Sequence, residues 1–171
     1  MSDESRRDAK HKAAMEKQKA SVDASIAAAD TERGVSILLT GNGKGKTSSA
    51  FGMIMRALGY GHTVGVVQFI KGEQLSGEEL FLRDQRPDVE FHQMGTGFTW
   101  DTQDRSSDIE AAERTWALAK PMLEDARFDL VVLDELTYML AFDYLPKDEV
   151  IEAIRNRPQS QSVVVTGRGG G

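Results

Sequence analysis

The stretch Val35–Ser49, VSILLTGNGKGKTSS, limits what this chain can become more than any other part of it. Val35–Leu39 has the length and β-branched content of a buried strand. It runs into a loop carrying Gly41, Gly43 and Gly45, then Lys46 and Thr47, then Ser48–Leu58, whose composition is helical. Strand, glycine loop, Lys-Thr and helix is the layout of a phosphate-binding loop. Glycine lets backbone N–H groups approach phosphate oxygens with no Cβ in the way. The helix N-terminus adds unpaired donors and a partial positive charge. Gly41, Asn42, Gly43, Lys44, Gly45, Lys46, Thr47 and Ser48 are therefore candidate nucleotide contacts. The Lys46 ammonium would neutralise phosphate charge, and the Thr47 hydroxyl is a candidate ligand for magnesium. The strict pattern has a glycine where this chain has Thr40. That departure predicts a loop of unusual shape, holding nucleotide differently from ordinary ATPases.

The rest of the chain fits an α/β sheet around that loop. Val64–Ile70, VGVVQFI, and Phe128–Glu135, FDLVVLDE, are nearly continuous apolar runs, as parallel strands covered on both faces require. Val89–Met94 reads as a shorter strand and Ser162–Thr166 as a last one. Helices are predicted over Glu78–Asp84, over Asp108–Asp125 with a possible kink at Pro121, from the end of FDLVVLDE to Phe142, and over Lys147–Asn156. Alternating strands and helices give a mostly parallel sheet with helices on both faces. Asp134-Glu135, at the end of a buried strand, has the layout of the acid strand that accompanies a phosphate loop and meets magnesium directly or through water. Alone it is a weak sign, since many strands end in an acid. Arg168 follows the last strand; it either reaches a phosphate or faces solvent.

Composition narrows the classes. The chain has 171 residues, enough for one domain with a substantial core. Cysteine is absent, which excludes disulfides and a thiol nucleophile. The net charge of −6 argues against nucleic acid as a partner, so an anionic ligand needs a local site. No apolar stretch reaches membrane-spanning length and no apolar leader opens the chain, so we expect no membrane, no export and a cytoplasmic location. Residues 1–33 are charged and alanine-rich, with Met15, Val22 and Ile26 on one weak helical stripe. They read either as a solvated tail or as a helix that docks on a partner or ligand.

Five stretches in order, GNGKGKTSSAFG (41–52), VGVVQFIKG (64–72), GTGFTW (95–100), VVLDELTYMLAFDYLP (131–146) and VVVTGRG (163–169), together resemble the P-loop class of ATP:corrinoid adenosyltransferases. The resemblance implies a P-loop NTPase, RecA-like α/β fold, with residues 34–171 as the nucleotide- and corrinoid-binding domain and residues 1–33 as a helical segment or lid. The implied reaction moves the 5′-deoxyadenosyl group of ATP to the cobalt of a reduced corrinoid and releases triphosphate, in adenosylcobalamin biosynthesis or salvage. Mg2+ or Mn2+ at Thr47, Glu135 and Asp134 is implied with it, as are a homodimer and a flavoprotein-type reductant.

The family binds ATP in reversed orientation, which gives the Thr40 departure a rationale. Phe98 and Trp100 match the family's aromatic pair under the corrin ring, where they displace the lower axial ligand and ease reduction of cobalt; otherwise they pack in the core. Arg33 is a further candidate nucleotide contact. Family members continue past TGRG with another helix, so this chain reads as shortened at its C-terminus. A P-loop ATPase or small-molecule kinase, and a corrinoid- or nucleotide-binding module without turnover, stay open on the residues alone.

Overall fold

The computed structural model describes residues 3–70, 76–95 and 105–169. It divides into two compact units, Met1–Glu32 and Arg33–Gly171. The first is a single α-helix, α1 (Asp3–Ala27). Its alanines, lysines and glutamates favour helix, and Met15, Val22 and Ile26 are all exposed within it.

The second unit carries β1 (Ser36–Leu39), α2 (Lys46–Gly59), β2 (Val64–Gln68), α3 (Gly77–Gln85), β3 (Glu90–Gln93), α4 (Arg105–Glu124), β4 (Leu130–Asp134), α5 (Leu136–Ala141), α6 (Lys147–Asn156) and β5 (Ser162–Thr166). All five strands are parallel, in the order β1-β5-β4-β2-β3. This is the α/β sheet anticipated from the alternation of strands and helices. β2, β3 and β4 end one or two residues earlier than their predicted runs, β1 and β5 end where predicted, and α4 runs through Pro121 to Glu124.

Strand alternation sorts the core into two halves. Val67, Val131, Leu133 and Val163 face α4, α5 and α6, where they pack with Trp116, Leu123, Leu136, Met139 and Val150. Val64, Val66, Leu130, Val132 and Val164 face α2 and α3, against Phe51, Ile54, Leu58 and Leu82. Helices thus cover both faces, and the central strands β2 and β4 are buried along their whole length. That is why their sequences are apolar at successive positions rather than alternating.

β1, which leads into the glycine loop, lies at one edge of the sheet and is held through β5. Its entry is tight. A Cβ on Gly34 would sit 2.0 Å from the Gln161 carbonyl oxygen and 2.8 Å from the Ser162 nitrogen. Both are backbone atoms, and fully buried Gln161 is itself pinned by its amide donating to the Met122 and Asp125 carbonyls. Gly65 in β2 is also close-packed, but there the nearest atom to an added Cβ is the flexible methyl of Met122, at 2.3 Å. Gly34→Ala should therefore destabilise the fold by about 1–3 kcal/mol, the usual range for overpacking, and by more than Gly65→Ala. Urea unfolding midpoints compare the two; an equal or larger loss in Gly65→Ala would show that the Gly34 corner yields.

Candidate functional site

At the carboxyl ends of the strands the face that packs on α2 turns from apolar to polar. The row that runs through Val66, Val132 and Val164 ends in Gln68 on β2, Asp134 on β4 and Thr166 on β5, and Gln93 ends the same row on β3. Gln68 pairs with Asp134 on one side and with Gln93 on the other. Leu133 pairs with Val165, so Asp134 and Thr166 come level. Side-chain bonds link this rung from end to end. Thr166 Oγ1 donates to Asp134 Oδ1 at 2.6 Å, Gln68 Nε2 donates to Asp134 Oδ2 at 3.0 Å, and Gln93 Nε2 donates to Gln68 Oε1 at 3.2 Å.

The glycine loop closes onto this rung. Thr47, in the first turn of α2, donates from Oγ1 to Asp134 Oδ1 at 3.1 Å across 87 positions of sequence. α2 is capped by Gly45, whose φ of 101° is the left-handed conformation that glycine adopts without strain, and no side chain caps its first N–H groups. Those donors are the ones that would meet an anion. The Lys46 ammonium curls back into the loop and donates to the carbonyls of Gly41 and Gly43, at 2.7 and 2.6 Å.

Glu135 has hydrogen-bonding capacity to spare. It follows β4 with φ 58° and ψ 21°, a left-handed conformation that costs a non-glycine residue energy and that clusters at functional sites. Its backbone N–H donates to Thr166 Oγ1 at 2.9 Å, while its buried side-chain oxygen Oε2 has no hydrogen-bond partner. Burial, then the neighbouring Asp134 charge, raise its pKa above the ordinary carboxylate value; Lys46 and Arg168 act in the opposite direction. A cation beside Oε2 would offset the same penalty. Asp134, in contrast, is 2% exposed and both of its oxygens already accept hydrogen bonds.

These groups line a cleft of about 370 Å³ with Thr47, Gln68, Asp134, Glu135, Tyr138 and Arg168 on its wall. Arg168 is exposed, and its carbonyl accepts a bond from Thr137 Oγ1 at 2.9 Å, which ties the loop after β5 to α5. Asn42, Lys44 and Ser48 are exposed on the loop and the start of α2. Arg33 is not brought to this cluster. It precedes β1, at the amino ends of the strands, and β1 alone separates it from the loop by roughly 13 Å at about 3.3 Å per residue. Phe98 and Trp100 lie outside the described residues. Thr166, Gln68 and Gln93 carry part of the site and were not singled out from the sequence. Their signal is a polar residue closing a strand, and it has meaning only once the strand order is known.

No helix among the described residues is long and apolar enough to cross a membrane. Residues 32–170 match the family described as ATP:corrinoid adenosyltransferase BtuR/CobO/CobP. The corrinoid adenosyltransferase of Escherichia coli is 52% identical over 162 residues, 95% of this chain and 82% of that protein. The Pseudomonas aeruginosa protein of the same name is 53% identical over 169 residues, 99% of this chain and 83% of that one. Among solved structures, the flagellar accessory protein FlaH of Methanocaldococcus jannaschii is similar in fold, with a TM-score of 0.50 at 12% identity, over 81% of this chain and 62% of that chain. A phosphate loop bonded to a buried acid strand, and a family match over nearly all of the second unit, lead to one assignment: the chain belongs to the ATP:corrinoid adenosyltransferase family.

Proposed function

We propose that the cleft beside the glycine loop holds ATP by its triphosphate and presents the ribose 5′ carbon to the cobalt of a reduced corrinoid. The observation that carries this reading is the Thr47–Asp134 bond, which fixes the phosphate loop to the buried acid. Cobalt(I) supplies the electron pair. A bond forms between cobalt and the 5′ carbon, the bond from that carbon to the triphosphate oxygen breaks, and triphosphate leaves with the pair as cobalt becomes formally cobalt(III). The nucleophile belongs to the substrate, so the chain's work is to position the reactants and stabilise charge on the leaving group. Lys46 exchanges the carbonyls of Gly41 and Gly43 for phosphate oxygens, and the N–H groups at the start of α2 donate to the same anion. Arg168 lines the same cleft.

The donor set suits Mg2+ or Mn2+. The Thr47 hydroxyl and the Glu135 carboxylate are hard oxygen donors. Among the described residues no group of three acidic or imidazole side chains is placed to hold an ion alone. Such an ion would leave positions for water and for phosphate oxygens, as magnesium sites usually do. Thr47 and Glu135 would hold the ion, with Asp134 orienting the Thr47 hydroxyl, and the ion would supply positive charge against the triphosphate. Phe98 and Trp100 are assigned to the lower face of the corrin ring. A flavoprotein-type reductant, a homodimer and a cytoplasmic location complete the proposal by resemblance.

Three measurements test it. Wild-type protein mixed with ATP and chemically reduced corrinoid should consume the cobalt(I) spectrum and release triphosphate; Lys46→Ala should slow this by on the order of a hundredfold or more, the usual cost of losing one preorganised charge contact. Release of ADP instead would point to a kinase or ATPase. Glu135→Gln should raise the metal concentration needed for ATP binding more than Asp134→Asn does, since Asp134 acts through Thr47; the reverse order would exchange their roles. Replacing both Phe98 and Trp100 by alanine should spare ATP affinity, and spare transfer from preformed cobalt(I) to within about tenfold. Transfer starting from cobalt(II) should fall much further. Equal loss of both activities would make the pair packing residues.

A further inference from the structure

The polar rung continues beyond the acid strand, and no role in the reaction yet accounts for that continuation. Gln93 Nε2 donates not only to Gln68 but also to Glu79 Oε2 on α3, at 3.3 Å. Its own Oε1 accepts from Arg83 Nη2 at 3.4 Å. Glu79 Oε1 lies 2.9 Å from the same Arg83 nitrogen, an ion pair one helical turn along α3 and not an aligned hydrogen bond. Glu79 is 3% exposed and Gln68 is 7% exposed. Gln68, Gln93 and Glu79 all line the cleft that holds Thr47 and Asp134.

Every amide in this chain has its direction forced. Asp134 Oδ2 accepts, so Gln68 presents its NH2 to it and turns its carbonyl oxygen to β3. That oxygen can only accept, so Gln93 must present its NH2, and Glu79 Oε2 takes the second hydrogen. The Gln93 oxygen is then left for the guanidinium of Arg83. A string of side chains with one self-consistent polarity runs from an Arg at the surface to a buried carboxylate in the site. Asp134 Oδ1 is shared by Thr166 and Thr47, so Oδ2 is where an independent group can set the tilt of the carboxylate. That tilt fixes the direction of the Thr47 hydroxyl and hence of the oxygen lone pairs offered to a ligand.

We infer that Gln68 and Gln93, oriented by Glu79 and Arg83, are positioning residues for the metal–nucleotide site, and that through them the docking of α3 controls the geometry of Asp134 and Thr47. This rests on the reading of Thr47 as a metal donor. Groups that orient such a donor typically change metal affinity about ten- to a hundredfold when lost.

The test is a double-mutant cycle on the intact protein, with the dissociation constant of Mn2+·ATP from calorimetry as readout and the thermal midpoint without nucleotide as control. Gln68→Leu and Gln93→Leu should each weaken Mn2+·ATP about tenfold or more, and Arg83→Met should weaken it by less. Because Gln93 acts through Gln68, Gln93→Leu should have almost no effect in the Gln68→Leu background. ATP measured without metal should bind each variant within about twofold of wild type. The inference is overturned if the two losses multiply independently, if affinity is unchanged while the midpoint falls, or if metal-free ATP binding drops in parallel. Where Gln68→Leu does not fold, Arg83→Met and Gln93→Leu decide the matter alone, since wild-type Mn2+·ATP affinity in both would reject coupling through α3. If neither Thr47→Val nor Glu135→Gln alters Mn2+·ATP binding, the metal assignment itself fails, which is a different outcome from a failure of the rung.

Discussion

A carboxylate buried at the end of the central strand is the constraint on which the rest depends. Asp134 is 2% exposed, and a buried charge is tolerated when hydrogen bonds replace the water it has lost. Three donors do so here: Thr166 from β5, Gln68 from β2 and Thr47 from α2. Each comes from a different element. Hydrogen bonds to charged groups are worth about 1.5–3 kcal/mol, and a buried charge that loses its donors costs at least as much. The strand register, the docking of α2 and the shape of the glycine loop are thus tied to one side chain. A slip of one residue in β2 or β5 would turn its polar end residue to the opposite face and leave Asp134 short of a donor.

The same alternation that builds the core builds the site. For most of its length the α2-facing row is valine and leucine, and it packs on Phe51, Ile54 and Leu58. At its last position the row becomes Thr166, Asp134, Gln68 and Gln93. Parallel strands deliver all their carboxyl ends to one edge, which is where open α/β sheets bind ligands. Apolar packing thereby places α2 over the sheet, and the polar rung decides where its first turn stops. Folding and site assembly share one set of contacts.

This division explains what the sequence disclosed. Continuous apolar runs such as VGVVQFI and LVVLD announced buried parallel strands, and the glycine loop with its Lys-Thr announced a strand–loop–helix turn, because both signals are local. Strand order is not local. Nothing in the chain says that β5 lies between β1 and β4, so nothing says that Thr166 meets Asp134 or that Gln68 meets Gln93. Thr166 read as the end of a strand, and Gln68, Gln93 and Asp134 as positions inside three others. The left-handed backbone at Glu135 was equally hidden, since glutamate gives no cue for positive φ as glycine does at position 45. For residues 3–27 the composition suited helix and solvated tail alike, having charge and alanine but no broad apolar face; propensity carried the helix there.

The electrostatics of the site follow from its being built on acids. A chain with net charge −6 is a poor host for a triphosphate, and the cleft itself contains Asp134 and Glu135. Lys46 and Arg168 oppose them, but burial and the Asp134 charge still hold the Glu135 carboxyl above its ordinary pKa. The protein's own charges therefore do not by themselves make the acid side of the cleft welcoming to phosphate. A divalent cation held by Glu135 would change the sign of that interaction: each carboxylate that repels bare phosphate would become a reason for the cation, and with it the phosphate, to stay. On the proposed reading such an arrangement would favour nucleotide together with metal, while the buried rung holds the Thr47 hydroxyl against Asp134.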